Sequence, residues 1–249
     1  MTPRAIPNRS IKRGAARVYQ ARPVTAQELG KLDGLAGLPL SKLEALRARM
    51  TVLRFSKRAI IYEEGRSERV VYVLLSGIAR LTCLSRNRKP HLLEVLGPGD
   101  VIELPSLLPD THHSLRCEAF TNCRIGSISP NKLVEGVVGI PVREFDEALK
   151  LRVGRWWTLL ERHSKFLNQT IREKIVIALL DLSRKFGVRD DRGTIIDLPL
   201  KGQEIADLVG CSRPKASECL KKLVAEGVVM RERRRLIVDP TKINPNLRS

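Results

Sequence analysis

Residues 209–228, VGCSRPKASECLKKLVAEGV, place an arginine at the start of a short helix with a charged side. Ser212 is a suitable N-cap, and Pro214 is tolerated there because the first helical turn has no amide partner to lose. The apolar side consists of Ala216, Leu220, Leu223 and Val224, and Gly227 ends the helix. The opposite side carries Arg213, Ser217, Glu218 and Lys221. An arginine at the exposed N-terminal end of a helix can hydrogen-bond a guanine edge in the major groove of DNA.

The segments on either side indicate how this helix is held. LKGQEIADLVG, residues 200–210, predicts a preceding short helix that ends in a tight turn at Gly210. Its inward residues are Ile205, Ala206, Leu208 and Val209. Two helices in this arrangement are typical of a helix-turn-helix lying in the major groove. The following VVMRERRRLIVDP, residues 228–240, predicts two β-segments around an arginine-rich tip, a wing that meets phosphates.

The composition favours the same kind of partner. The 249 residues include 45 Lys and Arg against 27 Asp and Glu, a formal charge of +18. Such a charge points to a polyanion, with nucleic acid as the first candidate and an anionic membrane as the second. The chain lacks an apolar run of about 18 residues and the short apolar core of a secretion signal, so we expect a cytoplasmic protein without a membrane partner. Five cysteines without CxxC spacing indicate neither a disulfide framework nor a metal site.

The patterns divide the chain into four parts. Residues 1–23 have six basic residues and no acidic one, which predicts a mobile arm that is either a solvated tail or a nucleic-acid contact. In residues 24–140, an amphipathic helix over 41–50 precedes RVVYVLL, IARLTCL and HLLEVL, short runs that predict an antiparallel jelly roll or barrel. Residues 141–168 predict one long helix. Residues 169–249 begin with a helix over 171–186, stopped by Gly187, and continue into the helix-turn-helix and wing, so the fold class is α+β.

The long helix has an apolar stripe with coiled-coil spacing. Its residues, at steps of 4, 3, 4, 3 and 4, are Leu149, Val153, Trp156, Leu160, His163 and Leu167. Such a stripe predicts a dimer interface with a second copy of the chain. Because the seam is under three heptads long, a helix packed on its own domain remains the alternative.

In this order, the β-domain, the seam helix and the QEIADLVGCSR segment with its wing resemble the CRP/FNR family of bacterial transcription regulators, over about residues 38–243. The resemblance implies a cyclic-nucleotide-binding-like sensor domain, a dimerisation helix and a winged helix-turn-helix. It also implies a homodimer that binds a palindromic DNA operator, with RNA polymerase as a further partner. The DNA-binding residues implied are Gln203, Ser212, Arg213, Ser217, Glu218, Lys221, Lys222, Arg233, Arg234 and Arg235.

The resemblance assigns unequal roles within this set. Arg213 matches the family's guanine-reading arginine, whereas Pro214 stands where many members have glutamate. Glu218 falls where arginine is common, and it can accept from cytosine N4 or pair with Lys221 or Lys222 on the surface. The operator should therefore differ from TGTGA half-sites. Lys221, Lys222 and the wing arginines are expected to meet phosphates.

The effector site departs further from the family. In cyclic-AMP-binding members, Gly-Glu-Leu and Arg-Ser-Ala segments hold the ribose and phosphate; here the corresponding residues are Ile102-Glu103-Leu104 and His113-Ser114-Leu115. His113 replaces a permanently charged two-pronged donor with a group that is mostly neutral at pH 7. Arg116 would lie on the opposite strand face. The implied pocket residues are Glu103, Leu104, His113, Ser114, Trp157 and Thr158. We expect an effector other than cyclic AMP, or none.

Other function classes find less support. An N-terminal iron-sulfur site is excluded because residues 1–82 contain no cysteine, and His91, His112, His113 and Cys117 lie in no haem motif, so no cofactor is expected. Cys83, Cys117 and Cys123 are expected as core residues, and Cys211 is either a packing residue or a redox switch with a lowered pKa. No acid/base pair or activated nucleophile supports an enzyme. A cyclic-AMP-responsive regulator, an enzyme-regulatory subunit and a non-specific architectural DNA-binding protein remain alternatives.

Overall fold

The computed structural model describes residues 18–32, 35, 38–65, 69–84, 90–102, 115–137, 166, 169–233, 235–243 and 247. An N-terminal pair of antiparallel sheets is followed by a C-terminal unit of three helices and a third sheet, which confirms the predicted α+β class. Within these residues, no helix has the length and apolar character needed to cross a membrane. The predicted seam helix, residues 141–168, lies outside them except for Phe166.

Two antiparallel sheets pack face to face in the N-terminal domain. The first has five strands in the order β1 (Val18–Gln20), β2 (Thr51–Phe55), β9 (Cys123–Ile128), β4 (Val71–Ser76) and β7 (Val101–Ile102). The second has four, in the order β3 (Ile60–Tyr62), β8 (Arg116–Ala119), β5 (Ala79–Leu84) and β6 (Pro90–Leu96). Leu74, Ile125 and Cys117 are fully buried between the sheets. The sequence runs expected to be strands therefore form β4, β5 and β6.

Three helices cover the outer face of the first sheet. They are α1 (Ala26–Gly30), α2 (Leu40–Arg49) and α3 (Pro130–Val137), and α2 agrees with the helix predicted over 41–50. Leu29 and Leu46 are buried against Val52 of the sheet. Residues 18–23 were expected to belong to a mobile arm, but the backbone of Val18–Gln20 pairs with β2 as an edge strand; residues 1–17 of that arm lie outside the described residues.

A β-bulge interrupts the pairing of β5 with β6. Leu81 lies opposite Glu94, whereas the next residue of β5, Thr82, lies opposite Leu92, so the register shifts by one residue at Leu93. In a regular strand, side chains three positions apart point to opposite faces, and an extra residue reverses this relation. Leu92 and Val95 are accordingly both buried against the C-terminal unit.

The C-terminal unit is built from α4 (Ile171–Phe186), α5 (Gly202–Val209) and α6 (Arg213–Ala225) on a sheet in the order β10 (Gly187–Asp190), β11 (Gly193–Ile196), β13 (Arg235–Val238) and β12 (Val229–Glu232). Thr170 and Glu173 cap α4 reciprocally, and α4 confirms the helix predicted over 171–186. Gly187 ends α4 as predicted; its φ is −86°, and it is also the first residue of β10. A side chain there would collide with the carbonyl oxygen of Ser183, which explains the glycine.

Candidate nucleic-acid interface

The turn between α5 and α6 is fixed by one left-handed residue. Gly210 has φ 70° and ψ 35°, a conformation that is unfavourable for residues with a Cβ. The N–H of the next residue, Cys211, then donates to the carbonyl oxygen of Ala206 at 3.0 Å. At the other end of α5, the N–H of Lys201 donates to the Glu204 carboxylate at 2.8 Å. Both ends of α5 are thus satisfied locally, and the turn delivers the chain into α6 as predicted.

Helix α6 is anchored by one buried side. That side consists of Ala216, Cys219, Leu220 and Leu223. Val224, which the sequence pattern placed on it, is instead 39% exposed. At 100° per residue, Val224 lies about 90° from the centre of this stripe, and Cys219 completes the stripe in its place. The prediction for Val224 was therefore wrong, while those for Ala216, Leu220 and Leu223 are confirmed.

The opposite side of α6 is available to a partner. Arg213, Glu218, Lys221 and Lys222 are exposed, and Ser217 is half-buried. Ser212 has the extended backbone of an N-cap, but its side chain makes no capping hydrogen bond. Its carbonyl oxygen accepts from the N–H of Ala216 at 3.0 Å. The guanidinium of Arg213 therefore projects from the very beginning of the helix, the part that reaches base edges in a helix-turn-helix.

An ion-pair cluster occupies the middle of this side. The Glu218 carboxylate accepts from Nζ of Lys222 at 3.0 Å and from Nζ of Lys215 at 3.5 Å. The hydrogen bond from Lys222 and the charge of Lys215 lower the pKa of Glu218, so at neutral pH it can only accept. Of the two surface partners expected for Glu218, the structure pairs it with Lys222. Lys215 was missed, although its spacing of three residues from Glu218 was a sufficient signal.

The wing forms as predicted from β12, β13 and the residues between them. Arg233 lies at its tip with φ 53°, in the left-handed region, and its side chain is exposed. The side chain of Arg235 is 58% exposed, and its guanidinium lies 2.9 Å from the Asp197 carboxylate.

A second hairpin contacts the wing. Arg192, on the β10–β11 hairpin, pairs with Glu232 of the wing at 2.9 Å. This contact depends on the pairing of β11 with β13, which no local pattern in the sequence indicates. Arg234 lies outside the described residues.

The other predicted site residues divide between the described and undescribed parts of the chain. Gln203 is exposed on α5, and its Nε2 donates to Asp207 at 2.7 Å. Arg116 of β8 lies 3.6 Å from Glu118 and 3.7 Å from Glu63, so its charge is engaged on the sandwich. Outside the described residues lie the effector set, Glu103, Leu104, His113, Ser114, Trp157 and Thr158, and the seam set, Leu149, Val153, Trp156, Leu160, His163 and Leu167.

The thiols have the environment of packing residues. Cys117 and Cys123 are buried in the sandwich core, and burial raises the pKa of Cys123 to about 11. Burial also raises the pKa of Cys211, the reverse of the lowered pKa that a redox switch at the start of α6 requires. The nearby cationic residues do not outweigh the loss of water around this sulfur. Cys211 is therefore a packing residue against the C-terminal core.

Alkylation should reveal this raised pKa. A free thiol of pKa about 8.5 is already only about 3% thiolate at pH 7, and Cys211 should react with iodoacetamide more slowly than that reference. Its rate should rise as the pH increases through its raised pKa, since only the thiolate attacks. Mass spectrometry of the peptide containing Cys211, with a Cys211→Ser protein as the blank, measures the rate. Rapid labelling at pH 7 would contradict the assignment.

Two domain families match the chain. Residues 52–136 match the family described as "Cyclic nucleotide-binding domain", and residues 173–244 match the "Crp-like helix-turn-helix domain". The second match contains α5, α6 and the wing. The first contains most of the β-sandwich, from β2 into α3.

Relatives match the chain over a longer stretch than either domain alone. The chain is 22% identical over 214 residues to a "CRP-like cAMP-activated global transcriptional regulator" of Mycobacterium tuberculosis, covering 83% of this chain and 92% of the relative. It is 21% identical over 195 residues to an "Anaerobic regulatory protein" of Bacillus subtilis, covering 75% and 78%. The solved structure of the c-di-GMP responsive global regulator CLP of Xanthomonas campestris has the same fold, with a TM-score of 0.69, 22% identity and coverage of 81% and 99%.

The family of these relatives consists of transcription regulators and not of enzymes. The chain combines a cyclic nucleotide-binding domain with a Crp-like helix-turn-helix domain. The chain belongs to the CRP/FNR family of bacterial transcription regulators.

Proposed function

We propose that the protein is a sequence-specific regulator that binds a palindromic promoter site as a homodimer and acts on RNA polymerase in the cytoplasm. The observation that carries this proposal is the exposed side of α6, which begins at Arg213 and faces away from the buried stripe. A rigidly anchored helix with an arginine at its exposed N-terminus can hydrogen-bond base edges, whereas a protein that binds DNA only by its charge does not need such a helix. Glu218 on the same side would be unfavourable in a protein that binds DNA only by charge.

Phosphate contacts supply the sequence-independent part of the affinity. Lys221 and Lys222 lie further along α6, and Arg233 and Arg235 lie around the wing tip, where long cations reach the backbone rather than a base edge; Arg234, between them in the sequence, is expected to do the same. Of these, Lys222 is bound to Glu218 and Arg235 to Asp197 in the free protein, so each must exchange a partner on DNA. Lys221 and Arg233 are the cations that we expect to contribute without such an exchange.

Neutralising Lys221 should therefore weaken binding to every sequence about equally. A Lys221→Gln protein should lose one phosphate contact, and the slope of log affinity against log salt should fall in magnitude by roughly one unit. Fluorescence anisotropy over a salt series, on operator and random duplexes, measures both quantities. Lys242→Gln, a change of the same charge in the 3-10 helix after the wing, is the control. A change in sequence preference would contradict the assignment of Lys221 to phosphate.

Dimerisation is assigned to the 4-3-4-3-4 stripe of the seam helix. A Leu160→Glu protein would place a charge in the seam of both chains and should sediment as a monomer. Lys165→Glu introduces the same side chain at an outward heptad position and should leave the dimer intact. Sedimentation velocity measures both proteins. An intact Leu160→Glu dimer would show that the interface lies elsewhere.

The effector is proposed to be other than cyclic AMP, or absent. The proposal depends on Ile102 and His113, which stand where the cyclic-AMP-binding members have the glycine and the phosphate-binding arginine. The mycobacterial relative is described as cAMP-activated and the Xanthomonas structure as c-di-GMP responsive, so both nucleotides belong in the test.

Selection of bound fragments from random DNA, without ligand and with each nucleotide, tests the proposal. We expect one palindromic motif, enriched without cyclic AMP and distinct from TGTGA half-sites. Enrichment that requires cyclic AMP, with matching micromolar binding by calorimetry, would favour the cyclic-AMP-responsive alternative. The absence of any enriched motif, with equal affinity for all duplexes at every salt concentration, would favour an architectural protein.

A further inference from the structure

The C-terminal unit is docked on the outer face of strand β6. Leu92 and Val95, brought to the same side by the bulge at Leu93, are 3% and 4% exposed. They belong to one buried cluster with residues of α4, α5 and α6. The sandwich therefore contributes two side chains to the core of the DNA-binding unit. Without that unit, both would be apolar groups on the surface of the sandwich.

A lysine at the end of α4 reaches into the turn that follows β6. Nζ of Lys185 lies 2.9 Å from the Asp100 carboxylate and donates to the Val95 carbonyl oxygen at 2.8 Å. It also lies 3.3 Å from the Glu94 carboxylate. Three acceptors of the sandwich thus surround one ammonium group of the C-terminal unit. This set of contacts is called the latch below.

The latch is partly buried, with the side chains of Lys185 and Glu94 31% and 20% exposed. The side chain of Asp100 is only 9% exposed, and its carboxylate also accepts from the N–H of Gly97 at 2.7 Å. A charged pair shielded from water is weakened by salt much less than a surface pair. Removing Lys185 would take the opposite charge away from a carboxylate that is shielded from water, which is more costly than losing a surface ion pair. Lys185 is therefore bound to the turn by more than surface attraction.

The two surfaces also fit closely at two glycines. A Cβ at Gly97, in the same turn as Asp100, would lie 2.8 Å from Cε1 of Phe186, the neighbour of Lys185. A Cβ at Gly210, between α5 and α6, would lie 3.0 Å from Cε1 of His91 on β6. Contacts at both ends of the interface restrict rotation of the C-terminal unit as well as its separation from the sandwich.

Docking leaves the DNA-contacting side chains exposed. Gln203, Arg213, Lys221 and Arg233 are all accessible in the docked arrangement. The interface uses the end of α4, one side of α5 and the turn at Gly210, none of which carries these side chains. The docked arrangement is therefore compatible with DNA binding, and it holds the unit in one position before DNA arrives.

We propose that Lys185 and Asp100 are a positioning pair that fixes the DNA-binding unit on the sandwich, so that a dimer presents its two recognition helices at the separation of the two half-sites. This inference rests on the proposed binding of a palindrome by a dimer. A unit held in place gives the second half-site a high effective concentration, whereas a loosely tethered unit loses this advantage.

A Lys185→Met protein tests the positioning role. Methionine keeps an unbranched side chain but removes the three ammonium donors. We expect affinity for the full palindrome to fall roughly tenfold or more, and affinity for a duplex with one half-site to remain as in the wild type. Small-angle scattering should show a larger radius of gyration. Lys174→Met, the same substitution near the other end of α4, should change none of these values, and Lys185→Arg should retain most of the palindrome affinity.

A second variant acts on the apolar part of the same interface. Val95→Asp should also expand the molecule and lower palindrome affinity, because it buries an unpaired carboxylate in the apolar cluster that joins the two units, outside the sandwich core. Lys185→Met with wild-type scattering and palindrome affinity would overturn the latch, and expansion without any loss for the palindrome would overturn its positioning role. Equal losses on palindrome and half-site would also overturn it. Wild-type protein that selects no palindrome would instead contradict the proposed function.

Discussion

An Arg213→Ala protein is expected to bind each half-site about 1 to 3 kcal/mol more weakly, with the preference for guanine lost at one base pair of each half-site. Arg213 is exposed at the first position of α6, the end of the helix that we expect to enter the major groove. From there the planar guanidinium can donate two parallel hydrogen bonds to O6 and N7 of guanine, an arrangement that other base pairs do not offer. In a dimer, this loss of binding free energy would occur once at each of the two half-sites.

Anisotropy measurements on duplexes that carry each base pair in turn provide the test. The wild type should discriminate at the position read by Arg213, and the variant should bind all four duplexes about equally. The variant should keep its base preferences at the other operator positions. This result would show that it has lost one base contact and is not unfolded. Lys221→Gln is the matched comparison on the same helix, because it should weaken all duplexes alike. Uniform weakening by Arg213→Ala, with preference retained, would mean that α6 lies differently in the groove.

Leu220→Ala is expected to lower the free energy of unfolding of the C-terminal unit by about 2 to 5 kcal/mol. Leu220 is 1% exposed and lies in the buried stripe that anchors α6, so its truncation leaves a cavity in the shared core. The loss should also appear as faster amide exchange along α6, since the helix is held by this stripe. Urea unfolding followed by circular dichroism measures the free energy.

Val224→Ala on the same helix is the control for this change. Val224 is 39% exposed, and its truncation should alter stability by no more than about 0.5 kcal/mol. Similar losses for the two substitutions would mean that the burial of α6 differs from that described above. DNA affinity of the Leu220→Ala protein, measured well below its unfolding midpoint, should remain near the wild-type value because Leu220 does not face the groove.

The helix-turn-helix could be predicted from sequence because its signals are local. Gly210 supplies the left-handed turn, Pro214 marks the first turn of α6, and the apolar spacing at 216, 220 and 223 sets the buried side. Val224 was placed wrongly because a spacing pattern does not show where the edge of the neighbouring core lies. Lys215 is not among the positions that the family resemblance implies, although its spacing of three residues from Glu218 predicts the ion pair.

Features that depend on distant segments could not be predicted. The β10–β11 hairpin begins at a glycine that seemed only to end a helix, and its pairing with β13 brings Arg192 to the wing. The bulge at Leu93 is visible only in the register between two strands. The latch joins Asp100 and Lys185, which are far apart in sequence and individually resemble ordinary surface charges. Local sequence patterns identify the residues of the recognition surface. The strand register and the docking of the C-terminal unit on β6 determine where that surface lies.

The carboxylate of Glu218, between Lys215 and Lys222, has a consequence for how the protein searches a genome. On arbitrary DNA, we expect this carboxylate to repel the phosphates and to neutralise part of the charge of its two neighbouring cations, so that complexes competing with the operator are weakened. If the proposed contact with a cytosine N4 amine forms at the operator, the same carboxylate gains a hydrogen bond there. One acidic side chain would then raise the ratio of specific to non-specific binding without greatly strengthening the specific complex.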